Sequence, residues 1–289
     1  MIDSQQWKNV SERKKATFQK AVKKAGVTLV RGRKPLAEDA LSLKYQNAIK
    51  GHVTFISGKA LRDAVSRIAG DSGLVVFGER HITSLHRVLL KKSLKAMKEN
   101  GIRFLAVEFL PFDMQPLLNA FGKGDRRAIR ARLGSKWGRY GKDSAKTIFL
   151  LMKEAKRLGI HVVAIDEPDQ GSKEPVGEDK RNLRREAHMR GIIAQCLEYG
   201  SVAVLCGNNH AMRIAGPFRK AHATSVVEFM GDAPPEQKYD LFANIISKSP
   251  GLKDSWFIMR GPRGMARNPF NNETEFPDWV IHVPEKRPH

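Results

Sequence analysis

Cysteine is nearly absent from this chain. Its two thiols, Cys196 and Cys206, cannot build a disulfide framework or a cysteine-based zinc cluster. Long apolar runs are missing too; none reaches the roughly 18 residues that a membrane-spanning helix needs. The opening stretch, residues 1–15, is polar and basic with no apolar signal-peptide core behind it. A cytoplasmic protein, or one secreted by a leaderless route, is the expectation. Acidic residues are scarce beside basic ones, 30 against 51, which leaves a net charge of +21. That surplus favours an anionic partner, whether a nucleic acid, a membrane surface or an acidic substrate, without choosing among them. No zinc-finger spacing or aromatic stacking motif accompanies it, so sequence-specific nucleic-acid recognition has little support. Several catalytic signatures are absent as well. The chain has no Gly-x-Ser-x-Gly elbow, no P-loop, no His-Glu-x-x-His and no Gly-x-Gly-x-x-Gly after a strand.

What is present is a hydrophobic fraction of 41%, compatible with a true core. The basic surplus is concentrated at one end. Residues 1–60 hold thirteen Lys/Arg against four Asp/Glu, and residues 1–70 read as a basic, mostly helical extension. Residues 61–68 form a helical stretch within it, stopped by Gly70-Asp71-Ser72-Gly73.

From residue 74 the pattern becomes regular, and residues 71–289 read as an α/β domain. Short apolar runs rich in β-branched residues stand at 74–77, 104–107, 161–165, 201–205 and 225–229, as buried strands do. Helical segments separate them at 84–99, 112–158 (interrupted near 134–141) and 182–199, with stops at Gly101, Gly159 and Gly200. Strands alternating with helices imply a mainly parallel sheet flanked by helices. Residues 256–259 and 279–283 read as further strands, antiparallel at an edge.

The chemistry-bearing residues fall at the carboxyl ends of these strands, the edge where open parallel sheets bind ligands. The first strand runs into Gly78-Glu79-Arg80-His81, the second into Glu108, the third into Asp166-Glu167 and the fourth into Gly207-Asn208-Asn209-His210. Carboxylates and imidazoles converging there suit divalent-metal binding, general acid–base catalysis or both. Glu79 could equally cap a helix or pair with Arg80 or Arg87. Asp166 and Glu167 precede Pro168 and read as turn-shaping residues. Glu108 follows four apolar residues, where an unpaired charge would be costly. The run Arg184-Arg185-Glu186 with His188 reads as a helix face, although Arg185 could turn toward the cluster and bind an anion. Cys206 reads as a small buried thiol.

These residues resemble the ChaN-like haem-binding protein family. The resemblance rests on Gly78-Glu79-x-His81, Ala106-Val107-Glu108-Phe109-Leu110, the stretch 115–121, and Arg185-Glu186-Ala187-His188-Met189 followed by 202–210. It covers residues 70–230, and the same motif order is similar to the wider superfamily of TIKI metalloproteases, erythromycin esterases and a domain of certain large toxins. The resemblance implies a site of Glu79, His81, Glu108 and His210 with Arg185 in support, and it matches Asn208 more loosely and His86 to a recurrent helix histidine. It implies a hydrolase of peptidase or esterase type acting on a small molecule or peptide. Such an enzyme would hold Mn, Co, Zn or Fe on Glu79, His81, Glu108 and His210, or work without metal through a Glu–His pair. One alternative is a haem- or iron-binding module using His81, His86, His210, Tyr140 or Tyr199. A second is a secreted effector whose residues 1–60 meet an anionic surface.

Overall fold

The computed structural model describes residues 53–55, 58–81, 84–138, 142–168, 178–230, 257–260 and 277–283. Most of residues 1–60 and Tyr140 lie outside them. The chain divides into two compact units, Ser57–Phe229 and a second made of Met1–Ile56 with Met230–His289.

In the second unit, strand β1 (Val53–Phe55) pairs antiparallel with β7 (Phe257–Arg260), and β7 pairs antiparallel with β8 (Trp279–His282). The antiparallel tail strands expected from the sequence are therefore present. Residues 53–55 add a short strand to the segment read as a mostly helical extension: Val53, Thr54 and Phe55 favour the pleated backbone and find a partner strand, while residues 1–52 lie outside the described residues.

The unit Ser57–Phe229 carries the parallel α/β layer. It begins with α1 (Gly58–Gly70) and continues through β2 (Leu74–Glu79), α2 (Ser84–Glu99), β3 (Ile102–Pro111) and a 3-10 turn at Phe112–Met114. Helices α3 (Gln115–Ala120), α4 (Lys123–Trp137) and α5 (Lys142–Arg157) then lead to β4 (His161–Asp166). The last part is α6 (Glu178–Leu197), β5 (Ser201–Gly207), α7 (Asn208–Ala215) and β6 (Thr224–Met230). The strands run parallel in the order β6-β2-β5-β3-β4.

The fold class expected from the sequence is the one observed. All six residues of β2 are buried, as are six of the seven in β5. Strands buried on both faces account for the lack of polar alternation in their sequences. Leu74, Val76, Ala106, Val202 and Val204 pack against Met189 and Ile193 of α6 and Ala211 and Ile214 of α7. At about 25 cal/mol per Å² of apolar surface, this burial is the main force holding helices to sheet. Gly101 (φ +97°) and Gly159 (φ +72°) end α2 and α5 in the left-handed conformation, where any other residue would be strained. Among the described residues no helix is long and apolar enough to cross a membrane.

Candidate active site

The order β6-β2-β5-β3-β4 places the ends of β2, β5, β3 and β4 side by side. Register completes the convergence, because Glu79 lies opposite Gly207 and Pro111 opposite Asp166. Glu79, His81, Glu108 and His210 are thereby brought to one edge, with Arg185 entering from the second turn of α6.

Glu79 is not an open carboxylate. Arg87, fully buried on α2, directs Nε to both Glu79 oxygens at 2.9 Å, and its Nη2 also binds Oε1. The same guanidinium donates to Ser144 Oγ at 2.9 Å and to the His81 carbonyl at 2.9 Å. Glu79 therefore spends most of its acceptor capacity on a buried ion pair, one of the alternatives its sequence left open. What remains of Oε1 meets His81 Nδ1 at 3.3 Å.

His81 is packed edge-on against Trp137, with centroids 4.7 Å apart, and against Phe109. Trp137 is itself fixed by donating Nε1–H to the Phe109 carbonyl at 2.8 Å. The far side of the imidazole faces Gly207. A Cβ there would lie 2.9 Å from His81 Nε2 and 3.7 Å from Glu108 Oε2. Gly207 is thus the gap through which His81 reaches the centre of the cluster.

Glu108 forms that centre. It is 2% exposed; Oε2 accepts the Gly207 N–H at 2.7 Å, and Oε1 accepts Arg185 Nη2 at 2.9 Å. His210 Nε2 lies 3.6 Å from the same Oε1. The other nitrogen of His210, Nδ1, lies 2.8 Å from Oε1 of Glu186, a wholly buried carboxylate. Arg185 also donates Nε–H to Asp166 Oδ1 at 2.8 Å, while Lys136 holds Oδ2 at 2.8 Å. Burial alone would raise the Asp166 carboxyl; the Arg185 hydrogen bond and charge, then Lys136, hold it below the ordinary carboxylate range. Burial would likewise depress the Arg185 guanidinium, yet Asp166 and Glu108 keep it above its usual value.

The cluster so contains two imidazoles with Nδ1 toward a carboxylate and Nε2 toward the neighbourhood of Glu108. Asp166 belongs to this network rather than only to a turn. Its signal in the sequence was its place at a strand end, the same that marked Glu108. Glu186 is hidden inside a charge run, and its inward orientation shows in its spacing to Met189 (i+3) and Ile193 (i+7), both wholly buried, and in the arrival of α7.

His86 is not joined to this cluster by its ring packing: it is buried on α2 and stacks on Phe229 at 5.1 Å between centroids. Tyr199 precedes β5 at the opposite, amino-terminal edge and is exposed. Neither offers haem a ligand at the cluster. The donor set does not suit a metal ion either. Both carboxylates at its heart are already neutralised by guanidinium groups, and no set of three or more His, Cys, Asp or Glu among the described residues is arranged to hold one. Asn208 points Nδ2 to the Phe229 carbonyl at 3.4 Å. Cys206 is buried in β5, and burial followed by the charges of Glu108, Glu79 and Glu186 pushes its thiol well above its ordinary value.

No family model matches the chain. A stretch of 142 residues is 26% identical to the type III effector protein HopBA1 of Pseudomonas syringae pv. aptata; it spans 49% of this chain and 57% of that protein. The solved structure of HopBA1 aligns with a TM-score of 0.46 at 20% identity, covering 59% of this chain and 82% of HopBA1. A structure of the C-terminal region of Pasteurella multocida toxin, described as having a thiol-protease-like catalytic triad, aligns at 0.40 and 19% identity over 53% of this chain and 21% of that one. The haem-binding ChaN of Campylobacter jejuni aligns at 0.40 and 12% identity over 80% of this chain and 95% of its own. By sequence, then, this chain is similar to a bacterial effector, with ChaN among its more distant structural neighbours.

Proposed function

We propose that this chain is a secreted effector whose α/β unit is a metal-independent hydrolase of peptidase or esterase type. The observation that carries the catalytic part is the 3.6 Å separation between His210 Nε2 and Glu108 Oε1. That gap is too long for a direct hydrogen bond, and a water within about 2.8 Å of both atoms could donate to each. His210 would then take one proton as that water adds to the substrate's acyl carbon. The carbonyl oxygen, now an anion, would be met by the Arg185 side, where positive charge is held in place by Asp166. Collapse of the tetrahedral intermediate would break the bond to the leaving nitrogen or oxygen, which receives that same proton from His210 Nε2. Glu79, bound by Arg87, would orient His81 rather than act as base.

The effector part is supported by the similarity to HopBA1, whose own name is that of a type III effector. The basic stretch of residues 1–60 would meet an anionic membrane or host surface. Reversing the charge of Lys14, Lys15, Lys23 and Lys24 should then weaken binding to phosphatidylserine vesicles, and unchanged binding would remove that role.

Metal dependence is tested by thermal unfolding of the chelator-stripped protein with Mn²⁺, Zn²⁺, Co²⁺, Fe²⁺ or haem, repeated with His210→Ala. A ligand that binds the folded state raises the melting temperature by mass action. No rise specific to His210 is expected. A rise with one metal that disappears in the variant would replace this reading with a metallohydrolase, and a rise with haem alone would replace it with a binding module.

A further inference from the structure

We infer that Glu186 is the positioning residue of His210, holding its proton on Nδ1 so that Nε2, the nitrogen facing Glu108, is the proton acceptor. The inference rests on the hydrolase reading for the use made of Nε2, but its main test needs no substrate.

Glu186 lies on α6 and is completely buried, an uncommon state for a carboxylate without a dedicated partner. The partner is His210. Oε1 lies 2.8 Å from Nδ1, within a hydrogen bond closed to solvent. The other cation near it, Arg213 Nη1, stands 3.5 Å from the same oxygen on a side chain 42% exposed, where water weakens its hold. Oε2 is buried and has no hydrogen-bond partner among the described residues. The carboxylate is therefore not engaged as Glu79 is by Arg87, with several donors closing on it from a fully buried guanidinium.

The chemistry follows from what each group can donate. An ionised carboxylate only accepts, and a neutral imidazole carries one N–H. With Glu186 on Nδ1, that N–H belongs to Nδ1, and the lone pair is left on Nε2. His210 is the third residue of α7, and the ring's two described polar contacts are Glu186 Oε1 at 2.8 Å on Nδ1 and Glu108 Oε1 at 3.6 Å on Nε2, of which the first alone is within hydrogen-bond distance. The Glu186 bond constrains the ring's rotation. When Nε2 takes a proton from water, the imidazolium that forms lies against the same carboxylate, which needs no rearrangement to stabilise it. A bond that served stability alone would fix the same tautomer, so the turnover of Glu186→Ala, with kcat lowered and KM kept, is what separates the two roles.

The experiment is ¹⁵N NMR of the imidazole nitrogens in the full chain, with His210 assigned by comparison with His210→Ala. In the wild type the neutral ring should be the Nδ1–H tautomer, with a slowly exchanging Nδ1 proton. Glu186→Ala should abolish that protected resonance and shift the ring toward Nε2–H, and Glu186→Asp should restore it in part. Wild-type His210 found as Nε2–H overturns the inference, and so does a Glu186→Ala ring that keeps its tautomer. The wild-type spectrum decides by itself if the variant does not fold. Once a substrate is in hand, Glu186→Ala should lower kcat on the order of 10²- to 10⁴-fold with KM little changed. Failure of the hydrolase reading looks different: His210→Ala would keep full turnover whatever the tautomer in the wild type.

Discussion

Arg87 closes its guanidinium on the carboxylate of Glu79 eight positions earlier, and neither side chain is reached by solvent. The pair joins the first turn of α2 to the end of β2 and, through Ser144, to α5. Removing one member strands the other charge in the interior, which costs about 3–5 kcal/mol. Arg87→Met should accordingly lower the urea midpoint more than the double variant Arg87→Met/Glu79→Gln, in which no charge is left behind. Equal midpoints for the two would mean that the pair is not a structural clamp.

Asp166 gives the unit a pH dependence of defined sign. Its carboxyl is held below the ordinary range in the folded chain, while an unfolded aspartate titrates near about 3.9. A depressed folded value contributes stability that is present above the unfolded value and is lost as pH falls through the folded one. Asp166→Asn should therefore be less stable than the wild type at pH 6, and the difference should shrink as acid unfolding proceeds below about pH 4. A difference that stays constant from pH 6 to pH 2 would contradict this.

Two glycines are expected to separate folding from activity. A Cβ at Gly78 would stand 2.7 Å from Asn208 Oδ1, 3.0 Å from Ala211 Cβ and 3.2 Å from Asn208 Cα, so Gly78→Ala must push α7 off β2. A cost of about 1–3 kcal/mol is expected, read as a lower melting temperature. A Cβ at Gly207 meets instead the imidazole of His81, a side chain that can rotate away. Gly207→Ala should keep most of its stability and lose turnover. The opposite pattern, a Gly207→Ala chain that melts early yet remains active when folded, would remove His81 from the site.

Cys206 is buried in β5 beside the site, and burial, followed by the charges of Glu108, Glu79 and Glu186, raises its thiol. It should resist alkylation of the native chain at pH 8, and Cys206→Ala should retain activity. Rapid labelling that abolishes activity would point to a thiol nucleophile.

Much of this was legible in the sequence. The parallel strands appear as unbroken apolar runs because both of their faces are covered, and the loss of polarity pattern is itself the sign of burial. Glu79, His81, Glu108 and His210 could be brought together on paper because strand ends in a parallel sheet share an edge. Their pairings could not. Whether Glu79 is a base or half of an ion pair depends on Arg87 turning back across a helix turn, and Glu79 had both options open. In sequence Glu186 reads as part of a charged helix face, because a helix run with charges on several sides does not show which side the next element covers. The strand at Val53–Phe55 leaves no mark in the sequence, because three residues are too few for a period and its partner lies some two hundred positions away.

The measurement closest to the central claim is turnover by chelator-treated protein, with residual metal quantified, on a panel of peptides, esters and host-cell extract read by mass spectrometry. Wild type should produce cleaved products without added metal, and His210→Ala and Glu108→Gln, each shown to be folded, should lose at least about 10²-fold. Turnover that appears only when a metal is returned, or that survives in folded His210→Ala, would contradict a metal-free imidazole–carboxylate centre.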